Sequence, residues 1–469
     1  MNIKTLTLAQ AKKELKEKKY SSVELTKAYL DRIKQLEPKI KAFITITEEE
    51  ALKKAKEADK KIAEGVDLPL LGIPLSIKDN FSTAGIRTTA SSKVLDEYIP
   101  PYDATVVTKL KDAGMVLLGK TNMDAWAHGS STETSDYGAS RNPWNTDHLP
   151  GGSSGGAAAS VAADEALVAI GSETAGSIRQ PAGWCGVVGM KPTYGRVSRY
   201  GVIAMGSSLD SPGPITKTVE DSALVLQVLA GHDAHDATTS PQDVPNYQKA
   251  LIKNINGMKI GISEDYFEGV DPEVRSGVEE ALKVFEKRGA TIKKINLFHP
   301  KYTIAVYTIL QRAEVSSNLA RFDGIRYGND RSFFGEEAKR RIMLGTYTLS
   351  AGYYDQYYNK ALKVRTVIIE DFKKAFQDVD VIIGPTSPTT ALPIGATKDQ
   401  SMFGELADML VEPSSIAGLT GINMNVGFSK AGLPIGMQII GPQFAEELVL
   451  KAAYNYELEN PLYENKPKI

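Results

Sequence analysis

Two loops rich in small residues carry the residue types that a hydrolytic enzyme needs. The loop 171–179 presents Ser177 after a row of backbone N–H groups. Such a row can stabilise the negative charge that develops on a carbonyl oxygen, and losing one donor typically raises the barrier by about 2.7–4 kcal/mol. The pattern therefore predicts a nucleophilic serine, provided that another side chain serves as its base.

The second loop, 150–156, precedes an Ala-rich helix and could bind an anion instead. A Gly/Ser loop at a helix N-terminus is a general phosphate cradle. A P-loop ends in Gly-Lys-Ser/Thr, whereas this loop runs through two glycines into Ala157. Phosphate binding therefore stays an alternative for this loop taken alone.

The base for Ser177 is expected to be Lys78, which ends the apolar run 72–78. Alternation along a strand would point Lys78 and Asp79 to opposite faces, so that Lys78 can be desolvated without a carboxylate beside it. Burial lowers the pKa of a lysine and makes it a base near neutral pH. A solvent-exposed lysine at the strand end is the alternative for this residue alone.

The histidines offer no comparable pattern. None lies in a metal-ligand spacing such as His-Glu-x-x-His, and a Ser-His-Asp triad would have to recruit one through the fold. We therefore predict no metal site. The chain has five histidines: His128, His148, His232, His235 and His299.

Taken together, these segments resemble the amidase signature family, which has a Gly-Gly-Ser-Ser-Gly-Gly loop, a Gly-Gly-Ser-Ile-Arg loop and a lysine in an Ile-Lys-Asp strand end. The resemblance implies a Ser–cis-Ser–Lys triad. In this triad Ser177 is the nucleophile, Ser153 the bridging serine and Lys78 the base, and the Gly152–Ser153 peptide is cis. The implied oxyanion hole consists of the backbone N–H groups of Thr174, Ala175, Gly176 and Ser177.

Three positions in two loops depart from the family pattern. The family usually has Asp-Thr-Gly-Gly-Ser before the nucleophile, where this chain has Glu173 and Ala175, and its Gly/Ser loop ends in serine where this chain has Ala157. If position 175 needs a positive φ, alanine there would cost about 1 kcal/mol. Its methyl group could also crowd the oxyanion hole. We expect activity to survive, with a catalytically weakened scaffold as the alternative.

Segments outside the triad resemble the amidase-type components of glutamyl-tRNA(Gln)/aspartyl-tRNA(Asn) amidotransferases. This resemblance implies a glutaminase that forms an acyl-enzyme on Ser177 and supplies ammonia to a partner protein. The alternative is a free-standing amidase acting on small amides. The similarity extends from about Leu8 to Tyr456 and is carried by the segments 142–144, 190–201, 208–210, 318–328 and 350–355.

The same resemblance assigns the substrate contacts and the partners. Glutamine carries an α-ammonium and an α-carboxylate, and a specific pocket must answer both charges. Arg341 would bind the carboxylate, Asp408 the ammonium, and Tyr307 would line the pocket. The implied partners are the B and C subunits of a heterotrimer, with the aminoacyl-tRNA contacted mainly through the partner. ATP and magnesium would be used by the partner, and no cofactor is expected in this chain.

Composition limits the setting in which the protein works. The formal net charge is −2, so the chain has no basic excess for gripping RNA by itself. Its single cysteine, Cys185, excludes an internal disulfide and suits a reducing compartment. No stretch approaches the roughly 18 apolar residues of a membrane span. We therefore expect a cytoplasmic protein with no membrane contact and a buried Cys185.

The elements around these residues predict an α/β fold. Capping-box patterns at Thr7 and Ser21 indicate helices, and residues 1–65 are predicted to form an N-terminal helical arm. From there to residue 469, short apolar runs alternate with helical patterns. We predict one amidase signature domain over 66–469, a large mixed sheet covered by helices on both faces. Its catalytic loops lie within 71–215, and a second α/β section begins at about residue 257.

Overall fold

The computed structural model describes residues 2–326, 328–398, 400 and 402–469; Tyr327, within one of the segments named above, lies outside the described residues. The described strands hydrogen-bond into a single mixed sheet, which confirms the predicted α/β class. The strands are β1 Phe43–Ile46, β2 Pro74–Lys78, β3 Val116–Thr121, β4 Val168–Glu173, β5 Val188–Lys191, β6 Ser211–Thr216, β7 Lys259–Ile262, β8 Thr291–Lys294, β9 Val381–Pro385, β10 Thr420–Phe428 and β11 Pro434–Gly441.

The strand order is β1-β3-β2-β4-β6-β5-β10-β11-β9-β7-β8. Strand β2 runs parallel to both β3 and β4, and β7 runs parallel to β8 and β9, whereas the central pairs from β4 to β9 are antiparallel. Every residue of β2, β3, β4 and β6 is buried, although side chains alternate between the two faces. Both faces of the sheet are therefore covered there, as in parallel sheets packed between helices.

Fourteen α-helices surround the sheet in the described part of the chain, and none of them is long and apolar enough to cross a membrane. They are α1 Leu8–Lys16, α2 Ser22–Ile40, α3 Glu48–Ala63, α4 Thr105–Asp112, α5 Gly155–Ala162, α6 Arg179–Cys185, α7 Val219–Leu229, α8 Pro272–Lys287, α9 Pro300–Leu319, α10 Glu336–Leu349, α11 Lys360–Ala375, α12 Phe403–Asp408, α13 Glu412–Ile416 and α14 Glu446–Glu459.

The N-terminal segment is mostly but not entirely helical. Both predicted capping boxes form, at Thr7 and at Ser21. The prediction of an all-helical segment is wrong at β1, which pairs antiparallel with β3. Its four residues, Phe-Ile-Thr-Ile, are aromatic and β-branched, but the run is too short to show strand periodicity. The division of the chain at residue 65 stays a prediction.

The parallel pair β2–β4 determines where the site lies. Leu75 is opposite Val168 and Ile77 is opposite Ile170, so both strands end at the same edge of the sheet. Lys78 is the last residue of β2, and the loop after β4 runs through Ser177 into α6. The topology thus brings together residues about a hundred positions apart in the sequence.

The contact between β1 and β3 can be tested with two glycines that both lie in strands. A Cβ at Gly119 of β3 would lie 2.3 Å from the Thr45 carbonyl oxygen, whereas one at Gly384 of β9 would meet only Tyr266 atoms at 3.8 Å. We expect Gly119→Ala to destabilise the protein by about 1–3 kcal/mol through overpacking. Gly384→Ala, the matched control, should have little effect. Equal midpoints of urea unfolding for the two variants would contradict this account of the sheet edge.

Candidate active site

Lys78 is fully buried at the end of β2 and makes two hydrogen bonds. Its Nζ donates to the Ser153 hydroxyl at 2.7 Å and to the Ser172 carbonyl oxygen at 3.0 Å. Burial lowers the pKa of Lys78 to about 7, although the negative charges of Asp124, Asp210 and Glu173 act in the opposite direction. The amine can therefore accept a proton near neutral pH.

Asp79 lies apart from Lys78, as the alternation along the strand predicted. Its carboxylate accepts hydrogen bonds from the backbone N–H and the hydroxyl of Thr89, and it lies 3.7 Å from the ammonium of Lys120. Asp79 is thus paired elsewhere, and Lys78 has no carboxylate of the described residues in hydrogen-bonding contact.

The Gly/Ser loop, 150–156, places Ser153 between Lys78 and the loop that carries Ser177. The Gly152–Ser153 peptide is cis, as the resemblance implied. Three N–H groups of this loop are used within the protein, because Gly152 donates to the Gln180 side chain, Ser154 to the Ser177 carbonyl oxygen and Gly156 to the Asn122 carbonyl oxygen. Those N–H groups are not free to cradle a phosphate, which disfavours the phosphate alternative.

Ser177 sits at the start of α6, where the loop from β4 turns into the helix. Its side chain is 4% exposed, and its hydroxyl makes no hydrogen bond to the described residues. The N–H groups of Ala175, Gly176 and Ser177 likewise donate to none of the described residues. A serine hydroxyl next to backbone N–H groups without acceptors among the described residues is the arrangement that acyl transfer requires.

Glu173 and Arg179 fix the shape of this loop. Both side chains are fully buried, and an Arg179 Nη donates to Glu173 Oε1 at 2.6 Å. The other oxygen of Glu173 accepts the N–H groups of Ile178 and Arg179 at 3.0 Å. A glutamate in place of the usual aspartate is therefore accommodated, because its longer side chain reaches both the helix N-terminus and the guanidinium.

The backbone strain that a positive φ would cause at position 175 is absent. Ala175 is not among the residues with a left-handed backbone, so the alanine carries no positive-φ penalty. The close approach occurs one residue later. A Cβ at Gly176 would lie 2.5 Å from Asp408 Oδ1 and 2.5 Å from a Val411 methyl group. Glycine is thus required at 176 rather than at 175.

Two buried aspartates support the site and were not among the predicted site residues. Asp124 accepts the Ser131 N–H at 3.0 Å, and its own N–H donates to the Ser153 carbonyl oxygen at 3.3 Å. Asp210 accepts the Thr174 hydroxyl at 2.6 Å, and burial raises its pKa to about 6. Little in the sequence singled out Asp124, because the residues that follow it, Ala-Trp-Ala, contain no cationic group that would pair with a carboxylate.

The three predicted substrate residues lie near one another, and Asp408 lies against residues 174–177, here called the oxyanion loop. Asp408 is the last residue of α12 and lies next to Gly176. Its Oδ2 accepts a hydrogen bond from the Ser130 hydroxyl at 2.8 Å, and its buried Oδ1 has no partner among the described residues. Arg341 on α10 is 4% exposed, and its Nε donates to Glu337 at 2.5 Å. Tyr307 is buried on α9 among the charges of Arg341 and Asp408.

A cavity of about 420 Å³ adjoins these residues. Arg341 and Ser130 line it, whereas Tyr307, Asp408 and Ser177 are not among its lining residues. The hydrogen bond from the Ser130 hydroxyl links the cavity wall to Asp408. The cavity is large enough for an amino acid.

Comparison with known proteins agrees with this geometry. The Amidase family model matches residues 24–450, which include every residue of the site described above. The chain belongs to the amidase signature family.

Within the amidase signature family, the chain is similar over its full length to proteins named for tRNA amidation, the A subunits of glutamyl-tRNA(Gln) amidotransferase. The one from Carboxydothermus hydrogenoformans is 51% identical over 487 residues, covering 100% of both chains. Its counterpart in Thermoanaerobacter pseudethanolicus is 53% identical and covers 98% of this chain and 97% of its own. The crystal structure of the Thermotoga maritima counterpart has 42% identity and a TM-score of 0.85, covering 100% of this chain and 98% of that one.

Other family members share the fold at lower identity. The structure of 6-aminohexanoate cyclic dimer hydrolase has 25% identity and a TM-score of 0.90, and covers 100% of this chain and 99% of its own. The amidase signature fold therefore carries the chemistry of several amides, and the substrate must be argued from the pocket.

The glycine requirement in the oxyanion loop gives a paired test. We expect Ala175→Gly to leave kcat/KM within about a factor of three, because no left-handed backbone has to be relieved there. Gly176→Ala should lower kcat/KM by about 10²-fold, since its Cβ displaces Asp408 or the loop from working geometry. Steady-state ammonia release measures both. A large rate gain in Ala175→Gly would show instead that the alanine methyl group crowds the oxyanion hole.

Proposed function

We propose that this chain is the glutaminase component of a tRNA-dependent amidotransferase. The observation that carries the proposal is the hydrogen bond from the buried Lys78 amine to Ser153, set beside Ser177 and its free backbone donors. The unpaired Asp408 oxygen over Gly176 adds a site for an α-ammonium next to that chemistry. The names of the full-length relatives agree with this substrate class.

In the proposed reaction, neutral Lys78 takes the proton of Ser153 as Ser153 takes that of Ser177. The Ser177 oxygen attacks the carboxamide carbon of glutamine, and the N–H groups of residues 174–177 stabilise the resulting oxyanion. Breaking the C–N bond returns a proton from Lys78 through Ser153 to the leaving nitrogen, and ammonia departs. Water, deprotonated by the same pair, then hydrolyses the acyl-enzyme to glutamate.

Arg341 and Asp408 are proposed to hold the two charged groups of the substrate, with Tyr307 between them. The ammonia would pass to the B subunit of a heterotrimer that also contains the C subunit. That partner would use ATP and magnesium to activate the mischarged glutamyl-tRNA(Gln), and a tRNA substrate agrees with a cytoplasmic location. Amidation of aspartyl-tRNA(Asn) by the same complex is a further possibility of the proposal.

Two alternatives are weaker. A free-standing amidase would not need a charged pocket, yet Asp408 is buried against Gly176 and the buried Arg341 lines the cavity. A weakened scaffold was suggested by Glu173 and Ala175. Glu173 has its hydrogen bonds satisfied and Ala175 is unstrained, so neither residue gives a reason for lost activity.

The proposal is tested by ammonia release from glutamine and from a panel of simple amides. We expect release selective for glutamine, lost in Ser177→Ala. Serine-dependent release from simple amides alone would favour the free-standing amidase. If Ser177→Ala still released ammonia from glutamine, Ser177 would not be the nucleophile. If the wild type released no ammonia even with the B and C subunits present, the scaffold alternative would be favoured.

The role of Lys78 predicts a definite pH dependence. Its pKa is lowered to about 7, so the neutral fraction of the amine grows as the pH rises through that value. We therefore expect kcat/KM to rise about tenfold per pH unit below 7 and to level off above it. Lys78→Arg, which keeps the charge but cannot lose its proton, should cost about 10²–10⁴-fold across the whole range. A flat profile from pH 6 to 8 in the wild type would contradict Lys78 as the base.

A further inference from the structure

The loop that carries Ser130 also presents a histidine whose role the proposed reaction leaves open. Trp126 and Ala127 both have left-handed backbones, at φ 59° and 63°, which is unusual for residues with side chains. The Trp126 ring packs against Phe322 and Phe334, with centroids 4.8 and 5.3 Å away. The next residue, His128, is thus directed by a backbone that packing holds in a costly conformation, a feature that clusters at binding sites.

His128 is 1% exposed and lines the same cavity as Arg341 and Ser130. Neither of its ring nitrogens has a hydrogen-bond partner among the described residues. Leaving a buried polar group unpaired typically costs about 1–3 kcal/mol, so a bound group that pairs with the His128 ring would remove this cost.

The charges around His128 define what kind of group it can meet. Burial, and then the positive charges of Arg341 and Arg312, hold the pKa of His128 well below its usual value. The ring is therefore neutral, with one N–H donor and one acceptor nitrogen. What the ring offers an anionic partner is therefore its neutral N–H donor and not net charge, because the cavity is lined by two arginines, Arg340 and Arg341, and by five carboxylates, Glu133, Asp136, Glu336, Glu337 and Glu405.

The pocket also needs a donor besides Arg341. The Arg341 Nε already donates to Glu337, and one Nη lies 3.8 Å from Glu405. Glu405 in turn accepts a hydrogen bond from Arg312 at 2.9 Å. The two arginines are thus matched by two glutamates, and net positive charge alone does not explain how a carboxylate would be bound.

We propose that the N–H of His128 donates a hydrogen bond to the substrate carboxylate that Arg341 binds, which makes His128 a specificity-determining residue. The inference rests on the proposed function, because it takes the substrate to be an amino acid. One short loop then serves both charged groups of that amino acid. His128 contacts the carboxylate, and Ser130 holds Asp408 Oδ2 so that Oδ1 stays free for the ammonium.

The test compares glutamine with 4-aminobutanamide, the same amide without its α-carboxylate, used as a substrate or as a competitor. We expect His128→Leu to raise KM for glutamine about 10- to 100-fold, the range for a hydrogen bond to a charged group, with kcat nearly unchanged. The KM or inhibition constant of 4-aminobutanamide should hardly change. His128→Gln, which keeps an N–H donor, should recover most of the glutamine affinity, and His232→Leu on an exposed loop is the matched control.

An equal loss on both compounds, or a loss in kcat alone, would overturn the assignment and show that His128 acts through the fold of its loop. Failure of His128→Gln to recover affinity when the protein is folded would overturn it as well. Failure of the proposed function looks different, because the wild-type chain itself would then release no ammonia from glutamine while hydrolysing simple amides.

Discussion

The site depends on an amine that is fully buried without a carboxylate of the described residues in contact. Burying a charged group away from water costs several kcal/mol unless a partner compensates, so Lys78 is neutral more easily here than anywhere on the surface. The nearby carboxylates are paired elsewhere. Asp79 contacts Lys120, Glu173 contacts Arg179, and Asp124 accepts backbone and hydroxyl donors. These pairings leave Lys78 to the Ser153 hydroxyl.

The rest of the architecture keeps that arrangement in place. The parallel strands β2 and β4 end at the same edge of the sheet. The lysine and the oxyanion loop therefore meet there, although they are far apart in the sequence. Arg179 then ties the oxyanion loop to the C-terminal half of the chain, since its guanidinium also donates to Ser414, Ser415 and Gln438. Gly176 completes the link, because only a residue without Cβ lets Asp408 approach the loop. The proposed ammonium contact, Asp408, therefore lies directly against the loop that carries Ser177.

The sequence predicted the α/β class, and loop composition and strand alternation, which are local signals, indicated Ser177 and Lys78. Ser153 was assigned only through the family resemblance, and the structure places it in a hydrogen bond with Lys78. Strands with mixed signals were missed. Strand β6 reads Ser-Pro-Gly-Pro-Ile-Thr, and two prolines and a glycine argue against a strand unless the surrounding sheet requires it. The sequence left open whether position 175 needs a positive φ, since φ at one residue depends on packing across the loop, and Ala175 does not have one. His128 and Asp124 were not predicted because burial and missing partners are properties of the folded chain.

If Lys78 is the base, its amine titrates near neutral pH, and NMR of the protein labelled with 13C at the lysine ε-carbon measures this titration. Burial also lowers the pKa of Lys191 to about 7, so the Lys78 signal must be assigned as the one missing from Lys78→Gln. The account predicts that this signal titrates with a pKa near 7. A Lys78 signal that stays in the ammonium form up to pH 10 would contradict it.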